Sequence, residues 1–170
     1  MKKRVFSIFL ALALCLALLP TAAFAEGGAT EENAAAVVNG TDYYSSFDAA
    51  YDAVKDGDTI QLRNDVNGNN NGNSITVEEG QSLTIDLNGF NLYRYITVEG
   101  TLTLKGDATR STVMCDITVL GMLVVMDSVQ IEAQTTLTLG STEQDGTLEV
   151  LSDSASIGAT VQVINKGNTK

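Results

Sequence analysis

The triplet Ile-Thr-Val occurs at residues 75–77, 96–98 and 117–119, a step of 21 residues each time. A second alternation follows each triplet in phase: Leu83-Thr84-Ile85, Leu102-Thr103-Leu104 and Leu123-Val124-Val125, with Gly80, Gly100 and Gly121 in the turns between. A third, looser set is Phe90-Asn91-Leu92, Val113 and Val129-Gln130-Ile131. Three short strands returning at a fixed interval are the mark of a β-solenoid. One coil cannot bury its own Val, Ile and Leu, but a stack of coils can, and backbone pairing between coils satisfies the strand amides. The fold class expected is all-β, a parallel β-helix of about five coils of about 21 residues. A less regular turn is expected at Leu137-Thr138-Leu139-Gly140 with Leu148-Glu149-Val150, and Ile157 with Val161-Gln162-Val163 begins another. The competing fold is an antiparallel sandwich, which Asn88-Gly89 favours because Asn-Gly is a strong hairpin signal. A sandwich, however, does not require its strands to return every 21 residues.

The head of the chain reads differently. Asn39-Gly40 between Val37-Val38 and Tyr43-Tyr44 predicts a small hairpin. Phe47, Ala50, Tyr51 and Val54 make one apolar helical stripe, so a helix is predicted from about Ser46 to Lys55. Ser45 and Asp48 have capping-box spacing, and Gly57 supplies the stop. Residues 36–57 are thus a hairpin and a capping helix, and residues 58–170 the β-helix. The tail ends in apolar alternation without a recognisable cap. Either the open end meets another chain, which implies self-association, or this is the N-terminal piece of something longer.

Residues 1–25 read as a cleaved signal peptide: Lys2, Lys3 and Arg4, an apolar run to Leu19, Pro20, then Ala23-Phe24-Ala25. The small, acidic stretch 26–35 reads as a disordered leader. The expected location is secreted or cell-surface, with no membrane association after cleavage. The whole chain has 10 basic and 21 acidic residues. Removing Lys2, Lys3 and Arg4 leaves 7 against 21, a net charge of −14. That charge opposes nucleic acid and anionic lipid. Cleavage also removes Cys15, leaving Cys115 alone, so no internal disulfide forms.

The chain has no His, which removes imidazole bases and His-based nucleophile pairs or zinc sites. Asp86, Asp107 and Asp127 are spaced 21 and 20 apart but drift against the strands, so they are read as turn residues rather than a carboxylate ladder. Asp65, Asn67 and Asn69 have the opening spacing of a calcium loop, but Asn70 replaces its glycine and Thr76 its closing Glu. No metal or other cofactor is expected. Tyr93, Arg94 and Tyr95 are the candidate ligand-binding residues, as a sugar-stacking platform. Tyr43, Tyr44 and Tyr51 are expected to pack in the cap.

Phe47-Asp48-Ala49-Ala50-Tyr51-Asp52-Ala53-Val54 with Gly57-Asp58-Thr59-Ile60-Gln61-Leu62 resembles the opening segment of right-handed parallel β-helix proteins of the pectin-lyase-like type. Leu83–Gly89 and Gly100–Leu104 resemble coils of exported surface proteins of Gram-positive bacteria. The resemblance spans roughly residues 37 to 170. It implies a right-handed parallel β-helix, with a helix capping the first coil and a G-D-T-I-x-L strand starting it. That fold hosts lyases, hydrolases and non-catalytic adhesins alike. The function expected is a non-catalytic exported module, part of an adhesin or glycan-binding protein, with glycans or cell-surface components as partners. The alternatives are a fragment of a polysaccharide lyase or glycoside hydrolase, and a structural segment that self-associates through its open C-terminal coil.

Overall fold

A computed structural model describes residues 28–68, 74–107, 111–132 and 135–164. Residues 1–25, read above as a signal peptide, lie outside the described residues. The chain opens with β1 (Ala36–Val38), β2 (Asp42–Tyr44) and α1 (Phe47–Ala53). β3 (Thr59–Leu62) and β4 (Ile75–Val77) then make the first coil. The second holds β5 (Ser82–Asp86), β6 (Asn91–Leu92) and β7 (Ile96–Val98), and the third β8 (Thr101–Lys105), β9 (Ser111–Val113) and β10 (Ile117–Val119). The fourth holds β11 (Met122–Met126), β12 (Val129–Ile131) and β13 (Thr136–Leu139), and the fifth β14 (Thr147–Val150), β15 (Ser156–Ile157) and β16 (Thr160–Val163).

Equivalent strands of successive coils pair in parallel, giving three faces of a β-solenoid. The first face runs β3-β5-β8-β11-β14, the second β6-β9-β12-β15 and the third β4-β7-β10-β13-β16. The sequence repeat is the pairing register itself: Ile75, Ile96 and Ile117 are successive partners, as are Leu83, Leu102 and Leu123. Leu92, Val113 and Ile131 do the same on the second face. Period-two alternation turns these residues inward, and Ile85, Leu92, Leu102, Leu104, Val113, Leu123 and Ile131 are fully buried. Asn88 and Gly89 do have positive φ, 48° and 85°. Their turn joins β5 to β6, which lie on different faces, so it is a corner of the coil and not a hairpin. Leu137 and Leu148 follow Ile117 and Leu123 as the sequence reading had them, whereas Ile157 pairs with Ile131 and so ends that turn instead of beginning the next. Leu137 pairs with Ile117 and closes coil four, while β14, β15 and β16 together make coil five.

The head is closed from both sides. Asn39 and Gly40, with φ of 51° and 75°, turn β1 into β2, and β1 also pairs antiparallel with β3, covering the edge of the first face. The cap of α1 is Ser46, one residue later than the capping-box spacing indicated; its hydroxyl accepts from the Ala49 N–H at 3.1 Å. The helix ends at Ala53 because Val54 is already extended. Phe47 and Ala50 are buried, and the Tyr51 ring stacks on Phe47 at 6.1 Å. The Tyr51 hydroxyl donates to the Thr76 carbonyl at 2.6 Å and accepts from the Thr76 N–H at 2.8 Å. One side chain thereby occupies the open backbone edge of β4, a strand with a neighbour on one side only. In the stretch read as a leader, Gly28 bridges Tyr44, the Ala35 N–H donates to the Tyr44 carbonyl at 2.8 Å, and Ala35 is buried.

Val150, Leu151, Val161, Val163 and Ile164 are all exposed. Among the described residues no helix is long and apolar enough to cross a membrane.

Candidate functional site: the outer third face

Inward Ile and Val on the third face leave every second residue outward. Thr76, Thr97, Thr118 and Thr138 therefore stand in one column, successive partners across four coils. Parallel strands lie about 4.8 Å apart, so the hydroxyls repeat at that spacing. Two residues before each threonine stand Tyr95, Asp116 and Thr136; two residues after stand Glu78 and Glu99. Tyr95 is 63% exposed. Asp116, exposed beside it, accepts the Thr136 N–H at 2.7 Å and ties coil three to coil four.

At the head end this face meets a cavity of about 250 Å³ between α1 and the turn from β4 to β5. Val77 and Leu83 are among its apolar lining; Asp52, Lys55, Thr76 and Glu78 bring polar groups to it. That is somewhat smaller than the roughly 300–1,000 Å³ of drug-sized pockets.

The Tyr93-Arg94-Tyr95 triplet is divided by the fold. Tyr95 points out, and Tyr93 is half-buried. Arg94 is only 7% exposed and pairs with Asp48 of α1 at 3.1 Å. Its guanidinium thus anchors the capping helix to coil two and does not join an outward aromatic platform. Tyr44 is buried; Tyr43 lies under the Arg63 guanidinium at 5.9 Å. Asp65 accepts the Asn91 N–H at 2.8 Å, Asn67 is exposed, and Asn69 lies outside the described residues. Asp86 is in register with Gln61 and Lys105, not with another acid. It accepts from the Asn88 N–H and the Gln61 amide and faces the Lys105 ammonium at 3.9 Å. Asp127, at φ 53°, sits in the turn after β11, and Asp107 lies two residues past the column of Asp86. Among the described residues no three Asp, Glu or Cys side chains converge on a metal-sized site.

Cys115 is buried, and that burial pushes its thiol up to about 12. A hydrogen bond from the Arg94 backbone opposes the shift and nearby Asp116 adds to it. At neutral pH the group is a protonated, packed side chain rather than a nucleophile.

Asp58, the acid of the G-D-T-I-x-L segment, was legible only as part of that resemblance. One of its oxygens accepts from the Asn39 amide and the other from the Lys55 N–H, each at 2.7 Å. It joins the hairpin turn, the helix end and the start of β3. The Asn39 bond, then the Lys55 backbone bond, hold its carboxyl below the ordinary 3.8, with the Lys55 charge helping and partial burial opposing. A lowered folded value stabilises the fold fully above the unfolded value; that contribution is lost as pH falls from about 4 through the folded value. Asp58→Asn is expected to lower stability at pH 7 and to leave a shallower further loss below pH 4. Thermal melts of both proteins between pH 7 and 3 check this, and parallel pH profiles would refute it.

Compared with protein-family models, curated proteins and solved structures, the chain has no match. Its own geometry establishes a parallel β-solenoid of about five coils whose first coil is covered by the hairpin and α1.

Proposed function

We propose that the protein is an exported, non-catalytic β-solenoid module of a cell-surface adhesin or glycan-binding protein, and that the third face meets the glycan. The reading draws on the export-type N-terminus and on the resemblance to pectin-lyase-like surface proteins of Gram-positive bacteria. The observation that carries it is the in-register threonine column beside exposed Tyr95. An outward tyrosine offers a flat apolar face for a sugar ring, and a row of hydroxyls offers donors and acceptors at a regular interval. Plant, mucin and cell-wall polysaccharides immobilised as a panel test it. Tyr95→Ala is expected to weaken retention about tenfold, roughly 1.4 kcal/mol, with an unchanged melting temperature. Undiminished retention by the variant counts against this face. Turnover of a retained polysaccharide, abolished by replacing a surface acid, would favour the lyase or hydrolase fragment instead.

The last described coil favours a second reading, self-association. Among the described residues β14, β15 and β16 each have a strand neighbour on one side only, and Val150, Leu151, Val161, Val163 and Ile164 are exposed. Because β1, β2 and Tyr51 occupy the head, stacking tail to tail closes as a pair and does not propagate. Sedimentation of the full chain is expected to give a dimer, and Val161→Asp with Val163→Asp a monomer. A wild-type monomer at all concentrations would dismiss this reading.

A further inference from the structure

Resting on the glycan reading of the third face, we infer that its ligand is a cationic glycan, one whose sugars carry free amino groups. The argument is one of charge and placement. The outward positions are Ser74-Thr76-Glu78, Tyr95-Thr97-Glu99, Asp116-Thr118-Leu120, Thr136-Thr138 and Thr160-Gln162-Ile164, coil by coil. They hold three acids and no base. Glu78 and Glu99 follow paired Val77 and Val98, so they stand at equivalent positions one coil apart. Asp116 stands one coil on from Tyr95, beside the aromatic ring's own column. The base nearest in sequence, Arg94, is turned inward to Asp48.

The cavity extends the same pattern. Glu78 lies both on the face and on the cavity, and Asp52 and Asp56 line it with it; Lys55 is the base among the lining residues. Asp56 is engaged with the Ser82 N–H at 2.7 Å. A chain lying along the threonine column, with one ring on Tyr95, would bring an amino group past Glu99 and another to Glu78 at the mouth of the cavity. Exposed acids attract such groups through a field that salt screens within about 8–10 Å at ordinary ionic strength. An anionic chain would meet repulsion along the whole track. Tyr95 and the hydroxyls favour a sugar over a basic peptide, because both address ring faces and hydroxyl groups as well as charge.

The experiment is calorimetric titration of the full chain at pH 6 with three oligosaccharides of equal length. These are glucosamine hexamer, N-acetylglucosamine hexamer and galacturonate hexamer; oligolysine is a fourth ligand. The glucosamine hexamer is expected to bind at least tenfold tighter than its N-acetylated counterpart, the preference falling away at 0.5 M salt. Glu78→Gln with Glu99→Gln is expected to remove the preference while leaving the weaker N-acetyl binding and the melting temperature unchanged. Equal binding of the two hexamers, or a preference that survives the double variant, overturns the cationic inference and leaves the glycan reading standing. Galacturonate bound as well as glucosamine has the same consequence. Oligolysine bound more tightly than any sugar overturns it in favour of a basic peptide. No binding of any saccharide here or in the panel overturns both.

Discussion

Gly121→Ala is expected to destabilise the protein by about 3 kcal/mol, where Gly→Ala at a compatible site stabilises by about 0.4–1 kcal/mol. A Cβ at residue 121 would lie 2.1 Å from the Gly100 carbonyl oxygen and 2.3 Å from that of Glu99. Both are backbone atoms of the preceding coil, so no side chain can swing away. The coil would have to lift, and the bonds from the Gly121 N–H to the Val98 carbonyl and from the Met122 N–H to the Gly100 carbonyl, both 2.8 Å, hold it down. Overpacking in a fixed frame costs about 1–3 kcal/mol, and backbone obstacles put this case at the upper end. Gly100→Ala meets the Gln81 and Glu78 carbonyl oxygens at 2.2 and 2.3 Å and should behave alike. Gly80 is the control: its φ is +79° but its Cβ position is open, so Gly80→Ala costs only the left-handed conformation, about 1–2 kcal/mol. Urea unfolding of the three variants measures the contrast. Equal losses at positions 80 and 121 would mean that the coils do not approach as described.

Leu102→Ala is expected to cost about 3–4 kcal/mol. Leu102 is fully buried and is the middle member of the column Leu83, Leu102 and Leu123. Stacked coils above and below cannot collapse into the gap without breaking parallel pairing, so the cavity stays open, and Leu→Ala changes of that kind cost 2–5 kcal/mol. Val163→Ala, in the last coil and 64% exposed, should change stability by under about 0.5 kcal/mol. The two residue types are alike in the repeat; only stacking separates them. Chemical denaturation of both variants tests this, and a small loss at Leu102 would place the centre of the core elsewhere.

Much of this was readable in the chain because a solenoid is nearly one-dimensional. Each residue's environment depends on its place in the coil and on one neighbour above and below. The Ile-Thr-Val spacing therefore stated the pairing of β4, β7 and β10 residue for residue. Where the step lengthened, as between Leu123 and Leu148, the reading still kept Leu137 and Leu148 in one turn but began the next at Ile157, whose backbone partner Ile131 shows that it ends that turn. Asn88-Gly89 announced a turn, and local geometry alone does not say whether the next strand returns alongside or goes on to another face. Arg94 between two tyrosines looked like part of a surface, although the chain's path sends it inward to an acid 46 residues earlier.

The candidate site divides in the same way. The alternation of threonine with Ile and Val made an outward hydroxyl column certain once coils were stacked, because period two leaves those side chains nowhere else to go. Which of Tyr93, Arg94 and Tyr95 stands beside that column depended on the bend between β6 and β7. The cavity depended on where α1 seats, and no local pattern states either. The sequence by itself determined the coil, its inward and outward residues and the turn glycines, all consequences of short-range periodicity. Only the tertiary structure decided how the ends are treated: Tyr51 and the hairpin pair with one edge through contacts remote in sequence, and nothing described pairs with the other.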